Sequence, residues 1–135
     1  MSKPIILCVD DERVVLESLK MQLKSALGNA YLYEMAENAD EAMELIQELA
    51  EEEINIILIV SDWLMPGMKG DEFLIRVHQQ FPGIIKIMLT GQADEAAIER
   101  AQMHANLHRC LYKPWTEEEL VETLKSGLAK LWQNK

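Results

Sequence analysis

The sequence of 135 residues is poor in basic charge, in cysteine and in long apolar runs. No apolar stretch approaches the roughly 20 residues that a membrane-spanning helix needs, so we expect no membrane span. Its 13 lysines and arginines stand against 23 acidic residues, which gives a net charge of −10, and they form no basic patch. Such a chain repels nucleic acid and anionic membranes, so we expect it to bind neither directly.

The two cysteines, Cys8 and Cys110, each lie inside an apolar run. Cysteines in such positions are expected to be reduced core thiols in a reducing compartment. The first apolar run begins near Pro4 and stops at two aspartates, which is typical of a buried strand and not of a secretory signal. These features predict a cytoplasmic protein.

The remaining composition, 49% hydrophobic and 27% charged, is that of a folded globular protein. Residues 1–135 suffice for one hydrophobic core but not for two, so they predict a single domain. Short apolar runs alternate five times with longer segments of helical period, which predicts a parallel sheet with helices on both faces. The predicted fold is therefore a doubly wound, flavodoxin-like α/β sandwich of three layers, with strand order 2-1-3-4-5.

Four of the five predicted strands are almost continuously apolar, whereas the second is more polar and is expected at an edge. The strands are predicted at residues 4–9, 31–36, 54–60, 84–89 and 107–112. The helices are predicted over residues 12–27, after Asn38, from Gly70 to the break at Pro82, from near Asp94 to about His104, and from Thr116 onward.

Ligands of such a sheet bind beyond the carboxyl ends of the strands, near the point where the strand order reverses. Polar side chains follow the predicted strands at these ends. Asp10 and Asp11 follow the first predicted strand, and Asp62 follows the third, which is its neighbour. Thr90 and Lys113 follow the fourth and fifth strands. The sequence therefore predicts three carboxylates, a hydroxyl and an ammonium at one rim of the sheet.

Three clustered carboxylates repel one another unless a cation lies among them, and an all-oxygen site suits Mg²⁺. A lysine and a threonine opposite that ion would complete a clamp for a phosphoryl group. Any one of these residues alone is more simply explained as a strand-end cap. Five such residues, at the ends of four strands, together favour a phosphoryl site.

The same residues resemble the receiver domain of bacterial two-component response regulators, and the resemblance covers essentially the whole chain. It rests on the order of the strand-end residues, Asp10-Asp11, Asp62, Thr90 and Lys113-Pro114. The segment from Asp62 to Gly70 also has the family's form Asp-x-x-Met-Pro-Gly-x-x-Gly. In it, a Pro-Gly pair builds a tight turn, and Gly70 lets the backbone enter the next helix closely.

The resemblance implies that Asp62 accepts a phosphoryl group from the phosphohistidine of a sensor histidine kinase or phosphotransfer protein, or from a small donor such as acetyl phosphate. It implies that Asp11 and Asp62 ligate Mg²⁺ directly, that Asp10 assists through water, and that the Leu64 carbonyl completes the ligands beside the phosphoryl group. Lys113 would then pair with the phosphoryl oxygens.

The resemblance also implies a switch, in which the Thr90 hydroxyl bonds the phosphoryl group, Gly91 leaves room for it, and the following loop moves inward. The output would be the face of helix 4, strand 5 and helix 5, which would contact an effector domain, a partner protein or a second copy. At Cys110 the family usually carries an aromatic ring that reports the phosphorylated state. A thiol is too small for that role, so we expect coupling to run mainly through Thr90. The Lys113–Pro114 bond is expected to be cis, as in the family.

Two other function classes fit the pattern less well. A phosphohydrolase with an aspartyl nucleophile would usually carry a second aspartate two residues later, where this chain has Leu64. A degenerate receiver that only binds a partner would normally lose a key residue, and none is lost. We therefore expect a signalling protein that catalyses only its own phosphorylation and dephosphorylation. The last predicted helix runs to Trp132 without a clear stop, which suggests an excised piece of a larger protein with a C-terminal effector domain.

Overall fold

Five strands and five helices alternate along the residues described by the computed structural model, which are 3–92 and 95–133, with side chains as far as Leu131. The strands are β1 Ile5–Val9, β2 Leu32–Ala36, β3 Ile56–Asp62, β4 Ile85–Thr90 and β5 Arg109–Tyr112. The helices are α1 Arg13–Leu27, α2 Ala39–Glu51, α3 Gly70–Gln80, α4 Glu95–Ala105 and α5 Glu117–Gln133. All strand pairs are parallel and their order is β2-β1-β3-β4-β5, which confirms the predicted fold.

The sheet divides the core into two layers, because alternate strand residues face opposite sides. One side packs against the leucines of α1 and α5, and the other against α2, α3 and α4. The five residues of β1 are all buried, whereas Leu32 in β2 is 45% exposed, as expected for an edge strand. Both cysteines are free thiols: Cys8 is buried and Cys110 partly so.

Capping residues fix several helix ends where the sequence predicts them. Gly28 ends α1 with φ of 66° and donates its N–H to the Lys24 carbonyl at 2.8 Å. Thr116 and Glu119 form reciprocal side-chain to backbone hydrogen bonds of 3.0 and 3.1 Å before α5. The predicted start of the fourth helix at Asp94 lies outside the described residues. No helix in ranges 3–92 and 95–133 has the length and apolar character to cross a membrane.

The limits of β3 lie two residues later than predicted at both ends. At its start the chain is still leaving α2, because Glu53 has φ of 61° and Ile54 donates its N–H to the Leu49 carbonyl at 2.9 Å. At its end, Asp62 pairs with Leu89 of β4 and so belongs to the strand. The side chain of Asp62 is thereby held by the sheet and not by a loop.

A buried lysine on the α3 side of the sheet was not predicted. Lys86 is 1% exposed, and its ammonium lies 2.7 Å from the Ile84 carbonyl oxygen and 2.8 Å from Nδ1 of His78. Burial lowers the pKa of Lys86 from 10.5 to about 8. Below pH 8 both folded and unfolded chains carry the proton, so the cost of burying the charge is fully present there.

We therefore expect Lys86→Met to stabilise the protein by about 1–3 kcal/mol at pH 7, because methionine fills a similar volume without a buried charge. The gain should shrink as pH rises from about 8 towards 10.5, where the folded wild-type protein has already released its proton. Urea unfolding at pH 7 and pH 10 measures this, with exposed Lys20→Met as the control. An equal gain at both pH values would contradict the explanation.

Candidate functional site

The carboxyl ends of β1 and β3 bring three aspartates together. Val9 at the end of β1 pairs with Ser61 of β3, so Asp10 follows one strand beside Asp62 at the end of the other. One carboxylate oxygen from each of Asp10, Asp11 and Asp62 lies within 4.8 Å of the other two. Asp10 is fully buried, Asp62 nearly so, and Asp11 is exposed.

Lys113 enters this cluster from the end of β5. Its ammonium lies 3.0 Å from Oδ2 of Asp10 and 3.1 Å from Oδ1 of Asp62. Its backbone N–H donates to the Thr90 carbonyl at 2.8 Å, and its bond to Pro114 is cis, as expected. One ammonium thus serves two buried carboxylates, which leaves the cluster with an excess of negative charge.

The electrostatics of the site follow from this excess. Burial, together with the charge of Asp10, raises the pKa of Asp62 to about 6, against the opposing effect of Lys113. Burial opposes protonation of Lys113, but its hydrogen bonds with Asp10 and Asp62 raise its pKa overall. The ionised form of a carboxylate that lies beside two others is stabilised by a further cation. Carboxylate oxygens are ligands that suit Mg²⁺. The donor set therefore fits that ion.

The β3–α3 loop, residues 63–69, folds back tightly on the end of β3. The Trp63 N–H donates to the Leu89 carbonyl at 2.8 Å, and the Gly70 N–H donates to the Trp63 carbonyl at 2.7 Å. A Cβ atom on Gly70 would collide with the Asp62 carbonyl oxygen and lie 2.8 Å from the Trp63 Cα. The Leu64 side chain is 52% exposed beside this site. Glycine at position 70 is thus required by backbone contact.

Thr90, Gly91 and Cys110 are the other residues that the sequence suggested for phosphoryl binding or for the switch. The buried Thr90 hydroxyl donates to the Gln92 carbonyl and accepts from the Gln92 N–H at 3.1 Å, so it is held within its own loop. Gly91 is exposed, and a Cβ there would meet open space. Cys110 packs partly against the core on the α3 and α4 side of the sheet.

A polar network beside the site was not predicted. Trp63 is 7% exposed, and its indole N–H donates to Oδ1 of Asp71 at 3.1 Å. Asp71 in turn accepts two hydrogen bonds from Arg100 on α4, and the Lys69 ammonium lies 5.1 Å from the Trp63 ring centroid. No regular spacing joins residues 63, 71 and 100, so the sequence carries no signal for this network.

Comparison with known proteins agrees with this geometry. Residues 6–125 match the family model of the response regulator receiver domain. The receiver domain of an HD domain-containing protein from Pseudomonas fluorescens Pf-5 is 31% identical and superposes with a TM-score of 0.87, covering 98% of this chain and 99% of that one. Chemotaxis protein CheY-3 of Vibrio cholerae is 30% identical over 95% of this chain and 91% of its own length.

Longer regulators are also similar to the chain. The hydrogenase transcriptional regulatory protein HoxA of Cupriavidus necator is 29% identical over 91% of this chain. The matched part is 24% of HoxA, so the chain spans about a quarter of that regulator. The family model matches residues 6–125, and the parallel sheet and the residues at its strand ends agree with that match. The chain belongs to the response regulator receiver domain family.

Proposed function

We propose that the chain is a phosphoryl-accepting switch, in which Asp62 takes a phosphoryl group from a sensor histidine kinase or phosphotransfer protein in a Mg²⁺-dependent reaction. The observation that carries the proposal is the position of the Lys113 ammonium between Asp10 and Asp62, at the rim where Asp11 also lies. A positive group beside a buried carboxylate is what an incoming phosphoryl group requires.

The proposed metal ligands are the Asp11 and Asp62 carboxylates, the Leu64 backbone carbonyl, and Asp10 through water. When bound, Mg²⁺ supplies positive charge that stabilises the oxygens of a phosphoryl group during its transfer. Few protein ligands make a poor cage for this ion, so we expect weak affinity in the unphosphorylated protein.

In the proposed reaction, a carboxylate oxygen of Asp62 attacks the phosphorus atom. The new O–P bond forms as the bond from phosphorus to the donor's nitrogen or oxygen breaks, and that bond's electron pair leaves with the donor. With a pKa of about 6, Asp62 is mostly ionised at pH 7 and can act as the nucleophile. Lys113 pairs with the transferred oxygens, and the Thr90 hydroxyl exchanges its Gln92 partner for one of them while Gly91 leaves room.

The phosphorylated domain would then present a changed face, formed by α4, β5 and α5, to an effector domain, a partner protein or a second copy. Two large apolar side chains on this face support the proposal, since Met103 is 71% exposed and Tyr112 is 50% exposed. Large apolar side chains that are exposed in a free domain are candidates for burial in a contact surface.

The direct test is phosphorylation by acetyl phosphate. With Mg²⁺ we expect one phosphoryl group per chain, located at Asp62 by peptide mass mapping and removed by hydroxylamine, which cleaves acyl phosphates. With a chelator in place of Mg²⁺ we expect almost no incorporation. Labelling at another residue, or equal labelling without the metal, would contradict the proposal.

A further inference from the structure

An ion pair holds the middle of α4 in addition to its apolar contacts. The fully buried positions of this helix are three alanines, Ala97, Ala101 and Ala105, which bury little area compared with the leucines of α1 and α5. Between them, the Arg100 guanidinium reaches α3 and donates two hydrogen bonds to Oδ2 of Asp71. The side chain of Asp71 is 2% exposed, whereas that of Arg100 is 56% exposed.

Asp71 is oriented from the other side by the residue that follows the acceptor. The indole N–H of Trp63 donates to Oδ1 at 3.1 Å, so both carboxylate oxygens have partners. A buried carboxylate loses much of its stabilisation if one partner is withdrawn, because water cannot replace it. Sliding of α4 along α3 would break the Arg100 bonds. The arrangement therefore opposes movement at the middle of α4.

The two ends of α4 are held differently. At its C-terminal end, Asn106 has φ of 52°, Leu107 donates its N–H to the Ala101 carbonyl, and His108 donates to the Lys86 carbonyl of β4 at 2.8 Å. The N-terminal end follows Gln92, whose backbone is held by the Thr90 hydroxyl. Gln92 lies three residues before the start of α4 in the sequence, so a change at Thr90 acts close to this end of the helix.

We propose that Asp71 and Arg100 form a pivot for α4, so that phosphorylation of Asp62 displaces the N-terminal half of α4 while residues 101–105 stay in place. The inference rests on the proposed function, since the displacement starts when Thr90 leaves Gln92 for the phosphoryl group. Asp71 and Arg100 touch no reacting atom and act as positioning residues. A pivot at Asp71 and Arg100 is compatible with Cys110, because the small side chain of Cys110 contributes little packing area to α4.

Two variants remove the ion pair between Asp71 and Arg100 in different ways. In Asp71→Asn the amide oxygen still accepts from Trp63, but the NH₂ group faces the Arg100 donors and cannot bond them. In Arg100→Gln the shorter, neutral side chain no longer forms the ion pair with Asp71, and the substitution itself lies on an exposed residue. The control is Arg76→Gln, which removes the same charge from an exposed pair with Glu72 on α3.

Hydrogen exchange along α4 tests whether Asp71 and Arg100 act as a pivot. It is measured without additions and with Mg²⁺ plus saturating beryllium fluoride, which mimics the phosphoryl group. In the wild-type protein and in Arg76→Gln we expect the mimic to change exchange in residues 95–100 and not in 101–105. In both pivot variants we expect the change to extend through 101–105, with exchange there about tenfold faster, as the loss of a charge-assisted hydrogen bond predicts. A change confined to 95–100 in Arg100→Gln at equal mimic occupancy would overturn the pivot.

Failure of the proposed function gives a different result. If the wild-type protein takes up neither a phosphoryl group from acetyl phosphate nor beryllium fluoride, the acceptor role of Asp62 is lost. The pivot is then judged in the untreated protein, where Arg100→Gln should still exchange about tenfold faster than Arg76→Gln in residues 101–105. Equal rates in these two variants would overturn it there as well.

Discussion

We expect Asp62→Asn to accept no phosphoryl group from acetyl phosphate and yet to unfold at a higher temperature than the wild-type protein at pH 7 in a chelator. The loss of labelling should be complete, because an amide is not a nucleophile towards phosphorus under these conditions. The gain in stability follows from charge. In the metal-free site, Asp62 lies among other carboxylates with one shared ammonium, and the amide removes one of the repelling charges.

The sign of the pH dependence follows from the raised pKa of Asp62. Near pH 4 the folded protein holds a proton on this carboxyl, so the cost of its charge is absent. As pH rises from about 4 to 6 the unfolded chain ionises first, which lowers the free energy of unfolding of the wild-type protein. A pKa of about 6 in place of 3.8 sets an upper limit of about 3 kcal/mol on this loss. We expect Asp62→Asn to recover about 1–3 kcal/mol at pH 7 and little at pH 4.

Thermal unfolding at these two pH values measures the effect, and the exposed Asp40→Asn on α2 is the matched control for removal of one negative charge. Mg²⁺ should raise the melting temperature of the wild-type protein more than that of Asp62→Asn, because a ligand stabilises the state that binds it. A variant that is less stable than the wild-type protein at pH 7 without metal would show that repulsion does not dominate the site.

We expect Gly70→Ala to lower the free energy of unfolding by about 2–3 kcal/mol. The new methyl group would meet backbone atoms of Asp62 and Trp63, which cannot turn aside as a side chain can. The start of α3 must therefore move away from the end of β3. Alanine is the better helix former by about 1 kcal/mol, and this gain offsets only part of the loss.

Urea unfolding measures the loss, and Gly83→Ala is the matched control, because a Cβ at residue 83 meets nothing within 4 Å. We expect that control to lie within about 1 kcal/mol of the wild-type protein. In Gly70→Ala the displaced loop should also slow phosphorylation of Asp62, since small misplacements of reacting groups cost large factors in rate. Wild-type stability of Gly70→Ala would show that α3 can shift without cost.

Most of the fold could be predicted because the signals are local. Apolar runs and helical periodicity located every element to within a few residues, and Gly28 and the Thr116–Glu119 pair marked helix ends through their own backbone hydrogen bonds. The predicted limits of β3 were wrong by two residues, because its start depends on the turn that leaves α2 and its end on pairing with β4, and neither is recorded in a local pattern.

The site could be predicted in part for a related reason. Parallel strands end at one edge, so residues at the carboxyl ends of β1 and β3 had to meet, and carboxylate oxygens of Asp10, Asp11 and Asp62 do lie together. The roles assigned to Thr90 and Leu64 depend on a bound phosphoryl group and remain predictions. The contact between Asp71 and Arg100 could not be predicted, since it joins two helices far apart in sequence.

The two native thiols have a practical consequence for experiments on α4. Burial raises the pKa of Cys8 to about 12 and that of Cys110 to about 11, so both thiols are almost entirely protonated at pH 8. A cysteine introduced at exposed Met103 would ionise near pH 8.5, so alkylating dyes and spin labels would react there first. A probe could therefore be attached to the outer face of α4 while both native cysteines are kept.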